Sequence, residues 1–177
     1  MPIDVIDYDP DWPERAERAC EELTASLPGV FLEIEHVGST AVPGLAAKPI
    51  IDLMASVRLL AAVTDREAAL EGLGYRREET GMPGRLFYRR EDPAGRRSHH
   101  LHVVTADTWE SRNERLLRDH LRADPQAAAE YAALKRALAS GDPDGLAYTR
   151  GKTGMIQRFV DEARRSRGLP LVPVWEE

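Results

Sequence analysis

A short polar turn in the first third of the chain contains residue types that bind phosphate. Gly38 lets the backbone approach a ligand closely, and Ser39 and Thr40 add hydroxyl donors beside backbone N–H groups at the start of a short predicted helix. Such a turn is a natural binding place for phosphate oxygens. The sequence therefore predicts a phosphate-binding turn at residues 38–40.

A carboxylate follows twelve residues after Thr40, within the nearly apolar segment PIIDLMASV at 49–57. An ionised Asp52 in such a segment must be ion-paired, hydrogen-bonded or bound to a metal, because an isolated buried charge is very unfavourable. Mg²⁺ prefers carboxylate and phosphate oxygens as ligands. The turn and Asp52 together predict that Mg²⁺ bridges this carboxylate to a nucleoside triphosphate.

Five more charged side chains are candidates for the same site. Glu35 is either a metal ligand or general base, or an ordinary charge at the end of a strand. Lys48 is a candidate to reach a phosphate as a point charge, and Lys152 and Arg150 of the last predicted helix are candidates to contact a phosphate or the acceptor. Arg89 is two residues from Phe87, so the two share one strand face, and Arg89 is a candidate to lie over the cleft. It belongs to an arginine-rich stretch at 76–97, which is typical of a solvated hairpin and alternatively contacts phosphates.

The elements that position these residues follow from hydrophobic periodicity and turn signals. A first helix is predicted to start at Asp11-Trp12-Pro13-Glu14, with Asp11 as the cap, and to end at Pro28-Gly29. The remaining predicted elements are strands at 30–37, 49–57, 75–79, 85–92 and 99–105, a helix at 64–73, and C-terminal helices at 109–122, from 125 after the Asp124 cap, and at 146–166. This order predicts an α+β fold, with a mixed sheet of about five strands and a helical C-terminal part.

Length and composition limit the class of protein. The 177 residues, 42% of them apolar, predict a single domain over 1–177, in which the tail 169–177 either docks on the domain or reaches a second chain. There is no membrane-length apolar run and no signal-like start, so a cytoplasmic protein without a membrane partner is expected. The single Cys20 excludes an internal disulfide. The net charge of −6 argues against nonspecific nucleic-acid binding, and a small-molecule partner is expected.

The segment IEHVGSTAVPGLAAKPIID resembles the signature of the GrpB family, which also occurs as an extension on some bacterial dephospho-CoA kinases. The resemblance implies the fold of the nucleotidyltransferase superfamily, whose active site pairs a Gly-Ser turn with a strand that carries Asp-hydrophobic-Asp/Glu. It covers nearly the whole chain, continuing through Gly74-Tyr75, His99-His100-Leu101-His102-Val103, Leu117-Arg118-Asp119-His120-Leu121-Arg122, Tyr131-Ala132-Ala133-Leu134-Lys135 and the late helix with Tyr148 and Lys152.

By this resemblance, Gly38 and Ser39 form the Gly-Ser turn and Asp52 is the first metal carboxylate. The position of the second carboxylate is Met54. Two-metal phosphoryl transfer needs several carboxylates to hold both ions around the reacting oxygens. Either other groups complete the metal site, or nucleotidyl transfer is lost.

Two histidines are candidates to replace the missing carboxylate. Strand alternation places His100 and His102 on one face and His99 on the other. The resembled fold implies that the pair lies near Asp52, which would give a metal set of Asp52, His100 and His102, better suited to Zn²⁺, Mn²⁺ or Fe²⁺ than to Mg²⁺. Alternatively, the histidines hydrogen-bond the backbone or a carboxylate, or donate to substrate phosphates.

Three functions follow from this interpretation. The first is a metal-dependent nucleotidyltransferase that uses a nucleoside triphosphate, with Mg²⁺ or Mn²⁺ and with Zn²⁺ as an alternative, and an unidentified small acceptor. The second is a non-catalytic nucleotide-binding, ligand-binding or folding-partner domain, linked to coenzyme A metabolism by the resemblance. The third is a triphosphate-dependent ligase. Asp52, Glu35, His100 and His102 are the catalytic candidates.

Overall fold

A computed structural model describes residues 4–141 and 145–174 of the chain. The chain forms two compact units. The sheet unit comprises Pro10–Val37 and Ile50–Glu110, and the helical unit comprises Met1–Asp9, Gly38–Pro49 and Ser111–Glu177. None of the helices in the described ranges is both long and apolar enough to cross a bilayer.

The sheet unit is built on five strands, as the sequence predicts. They are β1 Glu33–Val37, β2 Ile51–Val57, β3 Tyr75–Arg77, β4 Arg85–Glu91 and β5 Arg97–Thr105. Their order across the sheet is β1-β2-β5-β4-β3, with β2 and β5 parallel and every other pair antiparallel. The mixed sheet is therefore confirmed, and its parallel pair joins two strands that are distant in sequence.

Helix α1, Trp12–Ser26, contacts β1 and β2 through one apolar side. Trp12, Ala16, Ala19 and Leu23 follow each other at spacings of three and four and are all buried, which is the pattern of an amphipathic helix. The helix starts where predicted. The side chain of Asp11, however, makes no capping hydrogen bond, because its backbone is already in the helical region.

Two predicted helices are broken by irregular turns. The segment predicted as one helix at 64–73 forms α2, Ala61–Thr64, and α3, Glu67–Gly72. The helix predicted from residue 109 is instead a 3₁₀ turn at Ala106–Ser111 followed by α4, Asn113–Ala123. Hydrophobic spacing does not separate 3₁₀ from α backbone over so few residues.

The helical unit packs α4 against α5, Pro125–Ser140, and α6, Gly145–Ser166. The predicted Asp124 cap is confirmed, because its carboxylate accepts hydrogen bonds from the backbone N–H groups of Gln126 and Ala127 at 3.0 and 3.1 Å. The chain after α6 returns to it: the Gln157 amide bonds backbone atoms of residues 172 and 174. The core of the unit consists of Val42, Leu45, Leu121, Ala127, Tyr131, Ile156, Phe159 and Val160.

The free energy of unfolding is expected to fall on mild acidification because of His99. Burial, followed by the nearby Arg90 charge, lowers the pKa of His99 from 6.5 to about 4. At pH values between these two, unfolding takes up a proton, so stability that is present above pH 6.5 is lost as the pH falls. We expect a loss of about 1–2 kcal/mol from about pH 7 to about pH 5, after allowing for solvent screening.

Urea unfolding across this pH range measures the effect, with His99→Gln as the comparison. The variant should have a flatter dependence of the unfolding free energy on pH. Equal slopes for the two proteins would show that His99 titrates alike in the folded and unfolded chains.

Candidate functional site

One face of the sheet carries most of the predicted chemistry. In register, Asp52 is opposite His100 across the parallel pair, and Met54 is opposite His102. Arg89 and Phe87 of β4 face the same two histidine positions, and Glu35 of β1 is opposite Met54. Since alternate residues of a strand share a face, these side chains are on one side of the sheet. His99 is on the opposite side, as the alternation predicts.

Asp52 and His100 form a hydrogen bond between Oδ1 of the carboxylate and Nδ1 of the ring at 3.1 Å. Their side chains are 28% and 19% exposed, so both are largely shielded from water. A carboxylate only accepts, so Nδ1 is the donor, and in the neutral ring the lone pair is on Nε2. Nε2 is buried and has no hydrogen-bond partner among the described residues. The structure therefore confirms the interpretation that a partner satisfies Asp52.

In the His102 ring, the hydrogen-bond donor and acceptor nitrogens are exchanged relative to His100. Its Nδ1 lies 3.2 Å from an Nη atom of Arg85, and a guanidinium can only donate, so Nδ1 accepts and the neutral ring carries its proton on Nε2. The Phe87 ring packs beside both imidazoles, with centroid distances of 5.1 Å to His100 and 4.9 Å to His102. The two neutral rings thus carry their protons on different nitrogens, Nδ1 in His100 and Nε2 in His102.

The positions of the two ring protons bear on whether Asp52, His100 and His102 fit a metal ion as ligands. A metal-bound histidine donates its other ring N–H to an acceptor, as His100 does toward Asp52, whereas Nδ1 of His102 accepts from Arg85. Within residues 4–141 and 145–174, no group of three or more His, Cys, Asp or Glu side chains is close enough to hold a metal. The structure thus pairs Asp52 with His100 but does not assemble the predicted three-ligand set. Metal binding stays a prediction.

Met54 occupies the position of the second carboxylate, and its surroundings are apolar. The side chain is fully buried in a cluster with Val37, Val104 and Trp109. A carboxylate in this place would lose most of its hydration, because the side chains that surround it are largely apolar. Methionine, which departs from the Asp-hydrophobic-Asp/Glu pattern, therefore suits the apolar packing at this position of the sheet unit.

The arginines of the hairpin region are mostly neutralised by acids. Arg89 lies 3.5 Å from Glu78 and 3.9 Å from Glu91, and Arg97 also pairs with Glu78. These contacts fit the interpretation of a solvated, ion-paired surface. A phosphate contact for Arg89 stays a prediction, as does a catalytic role for the partly buried Glu35.

In the helical unit, the predicted phosphate-binding turn is a 3₁₀ turn at Ser39–Ala41. Gly38 before it has φ 75° and ψ −177°, a conformation that is essentially restricted to glycine. Ser39 is partly exposed, but Thr40 is 1% exposed, so its hydroxyl is inside the fold. Gly38 and Ser39 thus fit the predicted role, and the burial of Thr40 argues against a phosphate contact from its side chain.

Two lysines of the helical unit meet at one tyrosine. The Nζ atoms of Lys48 and Lys152 lie 4.3 and 4.5 Å from the centroid of the Tyr148 ring. Burial raises the pKa of Tyr148 to about 12, so the ring offers its π-face and no negative charge. Tyr148 and Lys152 are one helical turn apart, a spacing that is readable in the sequence. The contact with Lys48 required the fold.

Gly38→Ala is expected to reduce the stability of the chain and to weaken the nucleotide binding that the sequence predicts. The φ/ψ region of Gly38 is disfavoured for any residue with a Cβ, so we expect a loss of about 1–3 kcal/mol. The matched control is Gly72→Ala, because Gly72 has no positive φ and a Cβ there meets nothing within 4 Å. Thermal unfolding and nucleotide titration of both variants measure the effects. A Gly38→Ala protein as stable as Gly72→Ala would contradict the requirement for glycine.

The chain is similar to one protein family and to several individual proteins. The family model described as GrpB protein matches residues 2–162. UPF0157 protein PA4798 of Pseudomonas aeruginosa is 40% identical over 177 residues, covering 96% of this chain and 71% of that protein. UPF0157 protein YqkA of Bacillus subtilis is 34% identical over 92% of this chain, which spans only 48% of that protein. A dephospho-CoA kinase of Mycolicibacterium paratuberculosis is 34% identical over 81% of this chain and 42% of the kinase.

Solved structures support the predicted fold. The crystal structure of the conserved protein GrpB from Enterococcus faecalis superposes with a TM-score of 0.85 at 34% identity, covering 93% of this chain and 99% of that one. The Cid1 poly(U) polymerase with MgGTP bound superposes with a TM-score of 0.53 at 16% identity, covering 76% of this chain and 44% of the polymerase. The second likeness shows the fold alone, and it confirms the expected nucleotidyltransferase-like architecture.

Proposed function

The chain belongs to the GrpB family, and from this premise we propose that it binds a nucleoside triphosphate and transfers the nucleotidyl group to a small acceptor. The observation that carries the proposal is the Asp52–His100 pair, with its 3.1 Å hydrogen bond, on a nucleotidyltransferase-like sheet. An ion pair that only stabilised the fold could be formed by any acidic and any basic side chain. Here the base is an imidazole with an unsatisfied ring nitrogen, which is a typical catalytic or ligand-binding group.

Phosphate binding is assigned to the helical unit. The Gly38-Ser39 turn offers a close backbone approach and one partly exposed hydroxyl. Lys48 and Lys152, both partly buried, bring two positive charges to the ring of Tyr148, and a polyphosphate is attracted to two such charges. A polyphosphate satisfies all of these groups with one ligand.

Asp52 would be the residue that holds the metal ion of this proposal, Mg²⁺ or Mn²⁺, and the ion would supply neutralisation of the negative charge on the phosphates. His100 fixes the orientation of the carboxylate through Nδ1. Its Nε2 lone pair and the Nε2–H group of His102 are assigned to orienting the acceptor, since one accepts and the other donates a hydrogen bond.

Nucleotide binding and turnover must be measured separately to test this function. Calorimetric titration with each of the four nucleoside triphosphates, with Mg²⁺ or Mn²⁺, reports binding. Pyrophosphate release, with and without a panel of small hydroxyl and amine compounds, reports transfer. We expect saturable binding of at least one nucleotide and pyrophosphate release that depends on an acceptor. An absence of binding to all four nucleotides would contradict the proposal.

A second function is favoured by the burial of Met54. Without a second carboxylate, the same fold would bind a nucleotide or another ligand without cleaving it, as a regulatory or folding-partner domain. The likeness to part of a dephospho-CoA kinase supports a link of this kind with coenzyme A metabolism. Saturable nucleotide binding with no pyrophosphate release under any acceptor would support this second function over the first.

A further inference from the structure

The sheet unit has an open groove at the far end of β2 from Asp52. Its volume is about 350 Å³, and it is lined by Gly29, Val30, Leu32, Arg58, Leu59, Ala62 and Arg66. At about 3.3 Å per strand residue, Arg58 lies about 20 Å along the chain from Asp52. The groove therefore has no part in the site described above.

Arg58 and Arg66 differ from the other arginines of the sheet unit. Arg77, Arg89, Arg90, Arg96 and Arg97 each form an ion pair with a glutamate or aspartate. For Arg58 and Arg66 no ion pair and no side-chain hydrogen bond is present within the part of the chain that the structure describes, and the groove contains no acidic residue. Two exposed guanidinium groups are thus available to one anion, and guanidinium binds carboxylate and phosphate in a bidentate manner.

The rest of the groove is apolar and partly open to water. Leu59 is 68% exposed and Leu32 is 47% exposed, while Val30 is buried beneath them. Leu59 directly follows Arg58 in the short connection from β2 to α2, and Arg66 comes after α2 in the sequence. A ligand that covers both leucines gains hydrophobic free energy in proportion to the apolar area removed from water.

We propose that this groove binds a small organic anion with an apolar body, either a carboxylate or a phosphate monoester. An apolar wall with one charged end is typical of small-molecule sites, and the volume is within their usual range of about 300–1,000 Å³. The arginines select the anionic group, and Leu32, Leu59 and Ala62 contact the apolar body. Inorganic phosphate would leave the leucines exposed, and a neutral apolar molecule would leave the arginines without a partner.

Nuclear magnetic resonance of the full chain tests the site, with octanoate, octyl phosphate and 1-octanol as probes. We expect both anions to shift the backbone amides of Gly29, Leu32 and Leu59 saturably, with about tenfold tighter binding than 1-octanol. The tighter of the two anions identifies the headgroup. Two results would overturn the proposal. One is 1-octanol binding as tightly as the anions. The other is that both anions shift only the amide resonances of residues on the Asp52–His100 face of the sheet.

Variants of exposed side chains keep the test independent of folding. Arg58→Gln combined with Arg66→Gln should weaken octanoate binding about tenfold, and Leu59→Ser about threefold. Arg18→Gln is the matched control, because Arg18 is an exposed arginine of the same unit whose only described partner is Glu14. An octanoate affinity that is equal in the double variant and in Arg18→Gln would refute the role of the two arginines.

Discussion

Met54→Glu is expected to destabilise the chain by about 3–5 kcal/mol and not to restore a metal site. The Met54 side chain is fully buried among Val37, Val104 and Trp109, so a new carboxylate loses its hydration in a largely apolar cluster. The expected result is the opposite of what the nucleotidyltransferase superfamily pattern suggests, since that pattern, which is implied by the resemblance, has a carboxylate at this position.

Urea unfolding measures this effect, with Met54→Leu as the control of similar volume. We expect Met54→Leu to lose less than about 1.5 kcal/mol. The Met54→Glu deficit relative to wild type at the same pH should shrink as the pH falls toward about 4, because a buried carboxyl group has a raised pKa and folds more readily when protonated. If Met54→Glu is as stable as Met54→Leu and gains metal binding, the apolar cluster is not the reason for the missing carboxylate.

Asp52→Asn is expected to lower pyrophosphate release by about 100-fold or more. The substitution keeps the shape of the side chain but removes its charge. An asparagine side chain can turn either its amide oxygen or its amide N–H toward Nδ1 of His100. Nδ1 can then either donate or accept, so the imidazole no longer has one fixed tautomer. Both effects act on the proposed transfer step, and neither removes the groups of the helical unit that are proposed to bind phosphate.

Asp119→Asn is the matched control for this prediction. Asp119 is also a partly exposed aspartate in ion pairs, with Arg118 and Arg167, and it belongs to the helical unit. Nucleotide affinity without divalent metal should be similar in both variants and in wild type. Equal pyrophosphate release from Asp52→Asn and Asp119→Asn would remove Asp52 from the mechanism.

The sequence predicted the features of the site that depend on local periodicity. Asp52 within an apolar strand implied a satisfied carboxylate, and the alternation of β5 placed His100 and His102 on one face. Both are confirmed. The Asp124 cap followed equally from its immediate neighbours. The adjacency of β2 and β5 came from the family resemblance, because no local pattern encodes which strands pair.

Other features depend on residues that are far apart in the sequence, and these could not be predicted. The acceptor role of His102 Nδ1 is set by Arg85, seventeen positions away on another strand. Trp109, which lies beyond the end of β5, contributes to the cluster that closes the Met54 position. The prediction that the Asp11 side chain caps α1 was wrong for a different reason. The backbone of Asp11 is itself helical, and the residue type does not reveal this.

The interleaving of the two units along the chain has an evolutionary consequence. The sheet unit is contributed by two segments and the helical unit by three, so the backbone passes between the units four times. No single break in the gene can release both units intact. A single crossover in the gene therefore cannot exchange one unit and leave the other intact.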